Sequence, residues 1–214
     1  MLIAGIDEAG RGALLGPLVV AIFLISENKL PALEELHVKD SKQLSPRQRS
    51  SLYRKLKRLG SMEVVKLLPR DIDRRNINQL EVAVVKELLK KHKPDKAYVD
   101  CFLKDCSSLR VEGVRVVAEY KADERYPVVS AASIIAKVVR DAEIRKLHRQ
   151  FGYFGSGYPS DEQTVAFVKE HVRELADAGV IRKKWDTYRR LTEKRQSTLA
   201  AFVEGDDEAE EAQQ

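Results

Sequence analysis

The chain has 214 residues, of which 43% are hydrophobic, and this suits one sizeable globular domain and argues against a disordered chain. No apolar run approaches the roughly 20 residues of a membrane helix, and the N-terminus lacks the basic and long apolar segments of a signal peptide, so we expect a cytoplasmic protein outside the membrane. The net charge is +5, but the last eleven residues carry six acids and no base, so residues 1–203 hold 38 basic against 27 acidic residues, or +11. This basic body favours a polyanionic partner, most often nucleic acid, and the acidic tail over 204–214 is predicted to be disordered and solvated.

Predicted strands and helices alternate along most of the chain. The first half is predicted to form strand, strand, helix, strand and helix, over 2–6, 17–25, 45–60, 62–68 and 78–92. The second half is predicted to form strand, strand, helix and helix, over 96–100, 114–123, 130–152 and 160–179. Side chains that accept a backbone N–H start three of the helices, so the predicted N-caps are Ser45, Asn78 and Ser160. This mixture indicates an α/β fold with a mixed sheet, followed by a small helical appendage that includes a basic segment at 181–195.

Three of the predicted strands end in carboxylates. Asp7 and Glu8 follow the first strand, and the two later strands end at Asp100 and at Asp123. If those strands are neighbours in one sheet, the acids converge and repel one another strongly. Divalent cations resolve that repulsion, and oxygen ligands without nearby His or Cys favour Mg²⁺ or Mn²⁺ over Zn²⁺. Because two such ions about 4 Å apart promote phosphodiester hydrolysis, the pattern indicates metal-dependent phosphoryl transfer, although a single strand-end Asp is more often a turn or capping residue.

Five sequence blocks make this interpretation more specific. They are, in chain order, GIDEAGRG, VKDSKQLS, AYVD, YKADERYPVVSAASIIAKVVRD and GSGYPSD. Together they resemble the motif series of the type 2 ribonuclease H family, archaeal ribonuclease HII in particular, in the order and spacing of that family. The match runs from residue 3 to residue 161, and the C-terminal pattern continues it.

The resemblance implies a ribonuclease H-like fold, with a central five-stranded mixed sheet flanked by helices and a small C-terminal helical region. It implies a catalytic domain over 1–152 and a substrate-binding helical region over 153–203, before the acidic tail. The implied activity is endonucleolytic: hydrolysis of the RNA strand of RNA–DNA hybrids, and cutting 5′ of ribonucleotides embedded in duplex DNA to leave a 3′-hydroxyl and a 5′-phosphate. Such an enzyme serves DNA replication and ribonucleotide excision repair.

The resemblance also assigns roles to single residues. The family's four catalytic acids map onto Asp7, Glu8, Asp100 and Asp123. These acids are expected to hold two Mg²⁺ or Mn²⁺ ions. Members of the family commonly carry a histidine before the KAD triplet; this chain has Tyr120 instead, so no histidine is available there for proton transfer or product release.

Five further residues match substrate contacts of the family. The Gly-Arg-Gly turn of the family, here Gly10, Arg11 and Gly12, lies against the ribose next to the scissile phosphate. Because glycine permits close approach and positive φ, backbone groups of this turn are expected to hydrogen-bond the 2′-hydroxyl that separates RNA from DNA. Tyr158 matches a tyrosine that stacks on the following deoxyribose, and Lys42 matches a lysine near the nucleic acid. The alternatives are an ordinary turn, a loop anchor packed on the core and a solvated lysine.

The C-terminal segment 195–203, RQSTLAAFV, fits the sliding-clamp-binding pattern Gln-x-x-aliphatic-x-x-aromatic through Gln196, Leu199 and Phe202. Val203 replaces the second aromatic of the full pattern, which would weaken binding. A partner of the proliferating-cell-nuclear-antigen type is therefore predicted through residues 196–203, and the alternative is a C-terminal helix that packs on its own domain. We expect a monomer.

Other interpretations stay open at this stage. A catalytically idle nucleic-acid-binding or clamp-associated module is the main alternative, against which the four intact acids argue. A junction resolvase or integrase-like nuclease of the same fold is another, and the Gly-Arg-Gly turn and Tyr158 favour a reader of the 2′-hydroxyl over it. Cys101 and Cys106 lack the partners of a zinc site, so they are either free thiols or a local disulfide.

Overall fold

A five-stranded mixed sheet forms the centre of the computed structural model, which describes residues 1–38 and 44–193. Its strands are, in chain order, β1 Leu2–Ala9, β2 Leu18–Ser26, β3 Ser61–Leu67, β4 Lys96–Asp100 and β5 Arg115–Glu119. The spatial order is β3-β2-β1-β4-β5, with antiparallel pairs from β3 to β1 and parallel pairs from β1 to β5. The predicted α/β class and the five-stranded mixed sheet are therefore confirmed.

Helices cover both faces of the sheet. They are, in chain order, α1 Leu30–Glu34, α2 Pro46–Leu59, α3 Pro69–Arg74, α4 Ile77–His92, α5 Pro127–Phe151 and α6 Glu162–Asp177. Residues 186–193 are also helical, up to the end of the described range. The short helices α1 and α3 have too few residues to show a helical period, and the sequence did not predict them. None of the helices in residues 1–38 and 44–193 is both long and apolar enough to cross a membrane.

One of the three predicted helix N-caps is confirmed by the structure, and two are not. α2 begins as predicted, because the Ser45 side chain accepts the N–H of the third helical residue. The prediction of Asn78 as the cap of α4 is wrong: the Asn76 side chain accepts the N–H of Asn78 at 2.9 Å, which places Asn78 inside the first turn. The prediction of Ser160 is also wrong, because Asp161 caps α6. In both cases a competing Asn or Asp lies within two residues of the predicted cap, and either side chain can accept these bonds.

Two apolar layers enclose the sheet. Because successive strand residues point to opposite faces, Ile3 of β1 joins a core with α5 and α2, while its neighbour Ala4 joins a core with α4. A third cluster joins Leu14 and Leu15, from the loop after β1, to residues of α6. The C-terminal helices thus pack directly on the loop that follows β1. The boundaries proposed at 152 and 203 stay predictions.

Candidate active site

The sheet topology brings Asp7 and Asp100 to adjacent positions. β1 and β4 are parallel neighbours in which Ile6 pairs with Val99, so the next residue of each strand is a carboxylate. Asp7 is buried, with 5% of its surface exposed, and Glu8 is half-buried beside it. Both belong to β1 itself, which extends three residues beyond the predicted strand end. The longer strand fixes the backbone under both acids.

Asp123 lies on a different element from the one predicted. β5 ends at Glu119 and not at Asp123, and Lys121 then adopts a left-handed φ of 58°. Asp123 lies in the short 3-10 turn Ala122–Glu124 and is 5% exposed. The N–H of Ala122 donates to Asp100 Oδ1 at 2.8 Å, which fixes this turn beside β4. The position of Asp123 therefore depends on a turn in addition to the parallel strands, and its place among the site acids stays a prediction.

The carboxylates shift one another's pKa. Burial raises the pKa of Asp7 well above its usual range, and the negative charges of Glu8 and Asp100 raise it further. Burial raises the pKa of Glu8 to about 7, with Asp100 adding to the rise and Arg11 opposing it. The Glu8 N–H donates to Asp7 Oδ1 at 2.7 Å, which restrains the Asp7 carboxylate. Burial and the neighbouring negative charges therefore disfavour the ionised forms of Asp7 and Glu8.

This donor set fits a divalent metal ion. As the side chains stand, residues 1–38 and 44–193 contain no three His, Cys, Asp or Glu side chains grouped to hold one ion. The fit comes from the chemistry: Asp7, Glu8 and Asp100 offer hard oxygen ligands, and their mutual repulsion is what a small, highly charged cation relieves. The site therefore suits Mg²⁺ or Mn²⁺ better than a soft metal.

The raised pKa of Glu8 predicts how the stability of the metal-free protein depends on pH. Glu8 titrates near its ordinary value of 4.5 when unfolded and near 7 when folded, so between these values the folded state binds more protons. The contribution of Glu8 to stability is therefore full below about pH 4.5 and is lost as pH rises to about 7, by up to about 1.4 kcal/mol per pH unit. Urea unfolding in EDTA at several pH values between pH 5 and pH 8 measures this loss of unfolding free energy.

The control for this prediction is Glu8→Gln, which stays neutral at every pH. The difference in unfolding free energy between this variant and wild type should grow from pH 5 to about pH 7 and stay constant above it. Parallel pH profiles of the two proteins would contradict the raised pKa.

The turn after β1 directs the Arg11 side chain toward α4, while its charge still acts on Glu8. Its guanidinium pairs with the fully buried Glu81 of α4 and donates to Asn78 Oδ1. Its Cζ also lies 4.8 Å from the ring centroid of Phe102. Glu81 is thus a buried partner of Arg11. The Arg11 side chain is therefore engaged mainly with α4 and with Phe102.

The fold explains why one of the two glycines of this turn must be glycine, but not the other. Gly10 has φ +88°, and a Cβ there would lie 2.8 Å from the Pro17 carbonyl oxygen, so the fold itself requires glycine. At Gly12 a Cβ would meet nothing within 4 Å, so the fold does not require glycine. The space beside Gly12 is open in the protein alone.

Arg182 is the main residue of this site that sequence reasoning missed. It is fully buried, and its Nη1 donates to the Arg11 carbonyl at 2.5 Å and its Nη2 to the Gly10 carbonyl at 2.6 Å. Its Nε donates to the Gly16 carbonyl at 3.3 Å, and its Cζ lies 5.0 Å from the Trp185 ring centroid. Burial lowers its pKa to about 10, so it stays charged at neutral pH. In sequence it is one of seven bases in the segment 181–195, and nothing there marks it as buried.

Tyr158 lies on a glycine-rich loop that is fixed to the same turn. The Gly157 carbonyl accepts the N–H of Leu14 at 2.8 Å, so the two loops are directly bonded. Arg140 of α5, which is 7% exposed, places its Cζ 4.6 Å from the Tyr158 ring centroid and donates to the Ser156 carbonyl at 2.6 Å. The ring is thus held over a buried cation. No local pattern in the sequence marks Arg140 as buried.

Several predicted residues lie apart from this group or outside the described residues. Tyr120, at the position where histidine is common, is 74% exposed. Lys42 and the clamp-motif residues Gln196, Leu199 and Phe202 lie outside the described residues. The cysteines form a disulfide, Cys101–Cys106, which closes the loop directly after Asp100. This settles the alternative that the sequence left open.

The sequence of this chain is similar to those of one known protein family. The family model for ribonuclease HII matches residues 4–188. Ribonuclease HII of Pyrococcus horikoshii is 43% identical, over 95% of this chain and 100% of that protein. Ribonuclease HII of Aeropyrum pernix is 44% identical, over 89% of this chain and 90% of that protein.

Solved structures show the same likeness. The crystal structure of ribonuclease H2 from Pyrococcus horikoshii OT3 superposes with a TM-score of 0.83 at 42% identity, covering 91% of this chain and 98% of that one. The ribonuclease HII in the PCNA:RNase HII complex from Archaeoglobus fulgidus superposes with a TM-score of 0.80 at 42% identity, covering 87% and 96%. The chain therefore belongs to the ribonuclease HII family and is a ribonuclease H endoribonuclease that acts on RNA–DNA substrates.

Proposed function

We propose that this enzyme cuts duplex DNA 5′ of an embedded ribonucleotide, in addition to the RNA strand of hybrids, and leaves a 3′-hydroxyl and a 5′-phosphate. The observation that carries the proposal is the fixed turn Gly10–Gly12 beside Asp7 and Glu8, because it places exposed backbone next to the carboxylates. A backbone that reads one 2′-hydroxyl needs no run of ribonucleotides.

Metal ions are part of this proposal. The ribonuclease H family depends on divalent metal. In this chain the residues proposed to hold two Mg²⁺ or Mn²⁺ ions are Asp7, Glu8, Asp100 and Asp123. When bound, such ions supply an activated water and neutralise charge that develops on the phosphate. The choice between the two metals belongs to the same proposal.

The protein's own contribution is placement. Asp7 is restrained by the Glu8 N–H, and Asp100 is bonded to the turn that carries Asp123, so the carboxylates are pre-positioned before substrate binds. Tyr158, held over Arg140, is proposed to stack on the sugar after the ribonucleotide. Both effects are electrostatic and positional, and neither requires a covalent intermediate on the enzyme.

The test is cleavage of a labelled DNA duplex with one ribonucleotide, in Mg²⁺, beside the matching all-DNA duplex. A single cut 5′ of the ribonucleotide in the first duplex only is the expected result. Cleavage of a continuous RNA–DNA hybrid but of neither duplex would leave the family activity intact and remove the single-ribonucleotide proposal. Cleavage of both duplexes would show that the turn does not read the 2′-hydroxyl.

Gly12→Ala tests the turn itself. Since a Cβ at residue 12 meets nothing within 4 Å in the protein alone, the variant should unfold at the wild-type temperature. If the ribose lies against Gly12, the added methyl group should lower kcat/KM on the single-ribonucleotide duplex by about 10-fold or more. Gly10→Ala is the contrasting variant, expected to lose stability as well because of its φ. Full activity of Gly12→Ala would remove the proposed contact.

We also propose that residues 196–203 bind a sliding clamp. Support comes from the motif residues Gln196, Leu199 and Phe202 and from the Archaeoglobus fulgidus relative, whose solved structure is a complex with PCNA. Phe202→Ala is expected to lose clamp binding in a pull-down with purified archaeal clamp and to keep wild-type cleavage of a free duplex. Equal capture of variant and wild type would show that the motif is not the contact.

A further inference from the structure

Helix α2 differs from the other long helices in its charge. It carries six bases and no acid over Pro46–Leu59, whereas α4, α5 and α6 each contain acidic residues among their bases. A helix face that is merely solvated usually mixes both signs, because like charges at helical spacing repel one another. A face of one sign therefore calls for an external partner of the opposite sign.

The bases of α2 are arranged in a line. Arg47, Arg54 and Arg58 are separated by seven and four residues, which places them on one face of the helix. All three are exposed, and they form no ion pair with any residue in 1–38 or 44–193. They span about 16 Å along the axis, the length of about five base pairs of duplex. We call these three residues the basic stripe.

The opposite face of α2 fixes the stripe to the sheet. Leu56 is fully buried, and Leu52 and Leu59 pack against the same core, beneath α5. The stripe is therefore held on the surface by a rigid helix. Because the helix backbone is already rigid, binding a row of phosphates costs little conformational freedom beyond that of the arginine side chains.

The stripe begins close to the proposed substrate contacts. Arg49, in the first turn of α2, donates to Asp141 Oδ2 of α5 at 3.0 Å. The preceding residue of α5, Arg140, is the one that lies under Tyr158. The other end of α2 lies farther along the strands, because Gly60 lies beside Leu24, which pairs in the sheet with Ala4, three residues before Asp7. The stripe thus runs from the proposed substrate contacts toward the start of β1.

We propose that the basic stripe binds the phosphate backbone of the substrate duplex beyond the cleavage site, as a second contact surface that is independent of sequence. The inference rests on the proposed function only in taking Tyr158 as a substrate contact. Three phosphate contacts add affinity and salt dependence but do not act on the scissile bond. The surface accordingly contributes to binding long duplexes and not to kcat.

The test compares Arg47→Gln/Arg54→Gln/Arg58→Gln with a control that removes three exposed charges elsewhere, Lys90→Gln/Arg110→Gln/Arg115→Gln. The probes are a short duplex centred on one ribonucleotide and versions extended by about ten base pairs on one side or the other, a reach that exceeds the length of the stripe. Binding is measured by fluorescence anisotropy in EDTA over a range of NaCl concentrations, with the full-length chain.

The stripe variant should bind one of the extended duplexes about 10-fold more weakly than wild type, and its slope of log K against log salt should fall by about 2 to 3. Its affinity for the short duplex and its kcat on that duplex in Mg²⁺ should match wild type, and the control variant should match wild type throughout. Should the triple variant not fold, Arg54→Gln alone should lower the slope by about 1.

Wild-type affinity of the stripe variant for both extended duplexes would overturn the proposal, and so would an equal loss in the control variant. Tighter binding by the stripe variant would also overturn it, and would point to the acidic tail over 204–214 as the occupant. Failure of the proposed function can be told apart from failure of the stripe proposal, because in that case the wild-type protein would not cut the short duplex.

Discussion

Asp7→Asn is expected to abolish cleavage, with a loss of at least about 1,000-fold in kcat, while binding of a hybrid stays within about threefold of wild type. Asp7 is buried, adjacent to Glu8 in sequence and to Asp100 across the sheet, so its charge is the one that the proposed metal site least readily replaces. Binding survives because phosphate contacts come from basic residues elsewhere. Single-turnover cleavage and anisotropy on the same duplex measure the two effects.

The same variant should gain stability without metal. Burial and the neighbouring acids raise the pKa of Asp7 well above its usual range, so the folded state opposes ionisation of this carboxyl and loses stability as the pH rises above the ordinary pKa of an aspartate. Neutral Asn removes that cost, and the unfolding temperature in EDTA should rise. Asp95→Asn is the matched control: Asp95 precedes β4 at the opposite edge and accepts the N–H of Leu2, so activity and stability should both stay near wild type. A fully active Asp7→Asn enzyme would refute the site assignment.

Arg182→Met is expected to have the largest effect on stability. It removes the donors to the carbonyls of Gly10, Arg11 and Gly16, in a place that water does not reach. Buried hydrogen bonds to a charged group contribute about 1.5–3 kcal/mol each, and we expect a total loss of about 3 kcal/mol and a fall in Tm of about 10 °C. Because these carbonyls belong to the turn beside the carboxylates, kcat/KM on a single-ribonucleotide duplex should fall by about 10-fold or more.

Two further variants separate the positioning role of Arg182 from simple loss of charge. Arg182→Lys keeps the charge but cannot reach three carbonyls at once, so it should recover part of the stability and little of the preference for a ribonucleotide over deoxyribonucleotide. Lys183→Ala removes an exposed base at the next position and should change neither. If Arg182→Met is destabilised but keeps wild-type kcat/KM below its unfolding temperature, Arg182 has no positioning role.

The sequence determined the elements and the chemistry that each carries. Apolar runs of five to nine residues bounded by Gly, Pro or polar residues located the strands, and helical spacing located α2, α4, α5 and α6, because these signals are local. The five motif blocks identified the family, and they carry the four acids that we propose as the metal site. The short helices α1 and α3 were missed, and some ends of the predicted elements were misplaced, as at β5, where the chain turns at Lys121 before it reaches Asp123.

Tertiary structure decided what surrounds the acids. Glu81 and Arg182 look in sequence like members of solvated charged helices, yet both are fully buried, one under Arg11 and the other behind the turn that contains it. Whether such a side chain faces water or a backbone carbonyl depends on which segments pack together, 70 or 171 residues apart. No local pattern contains that information, because burial of a charge is set by partners that only the folded chain brings into contact.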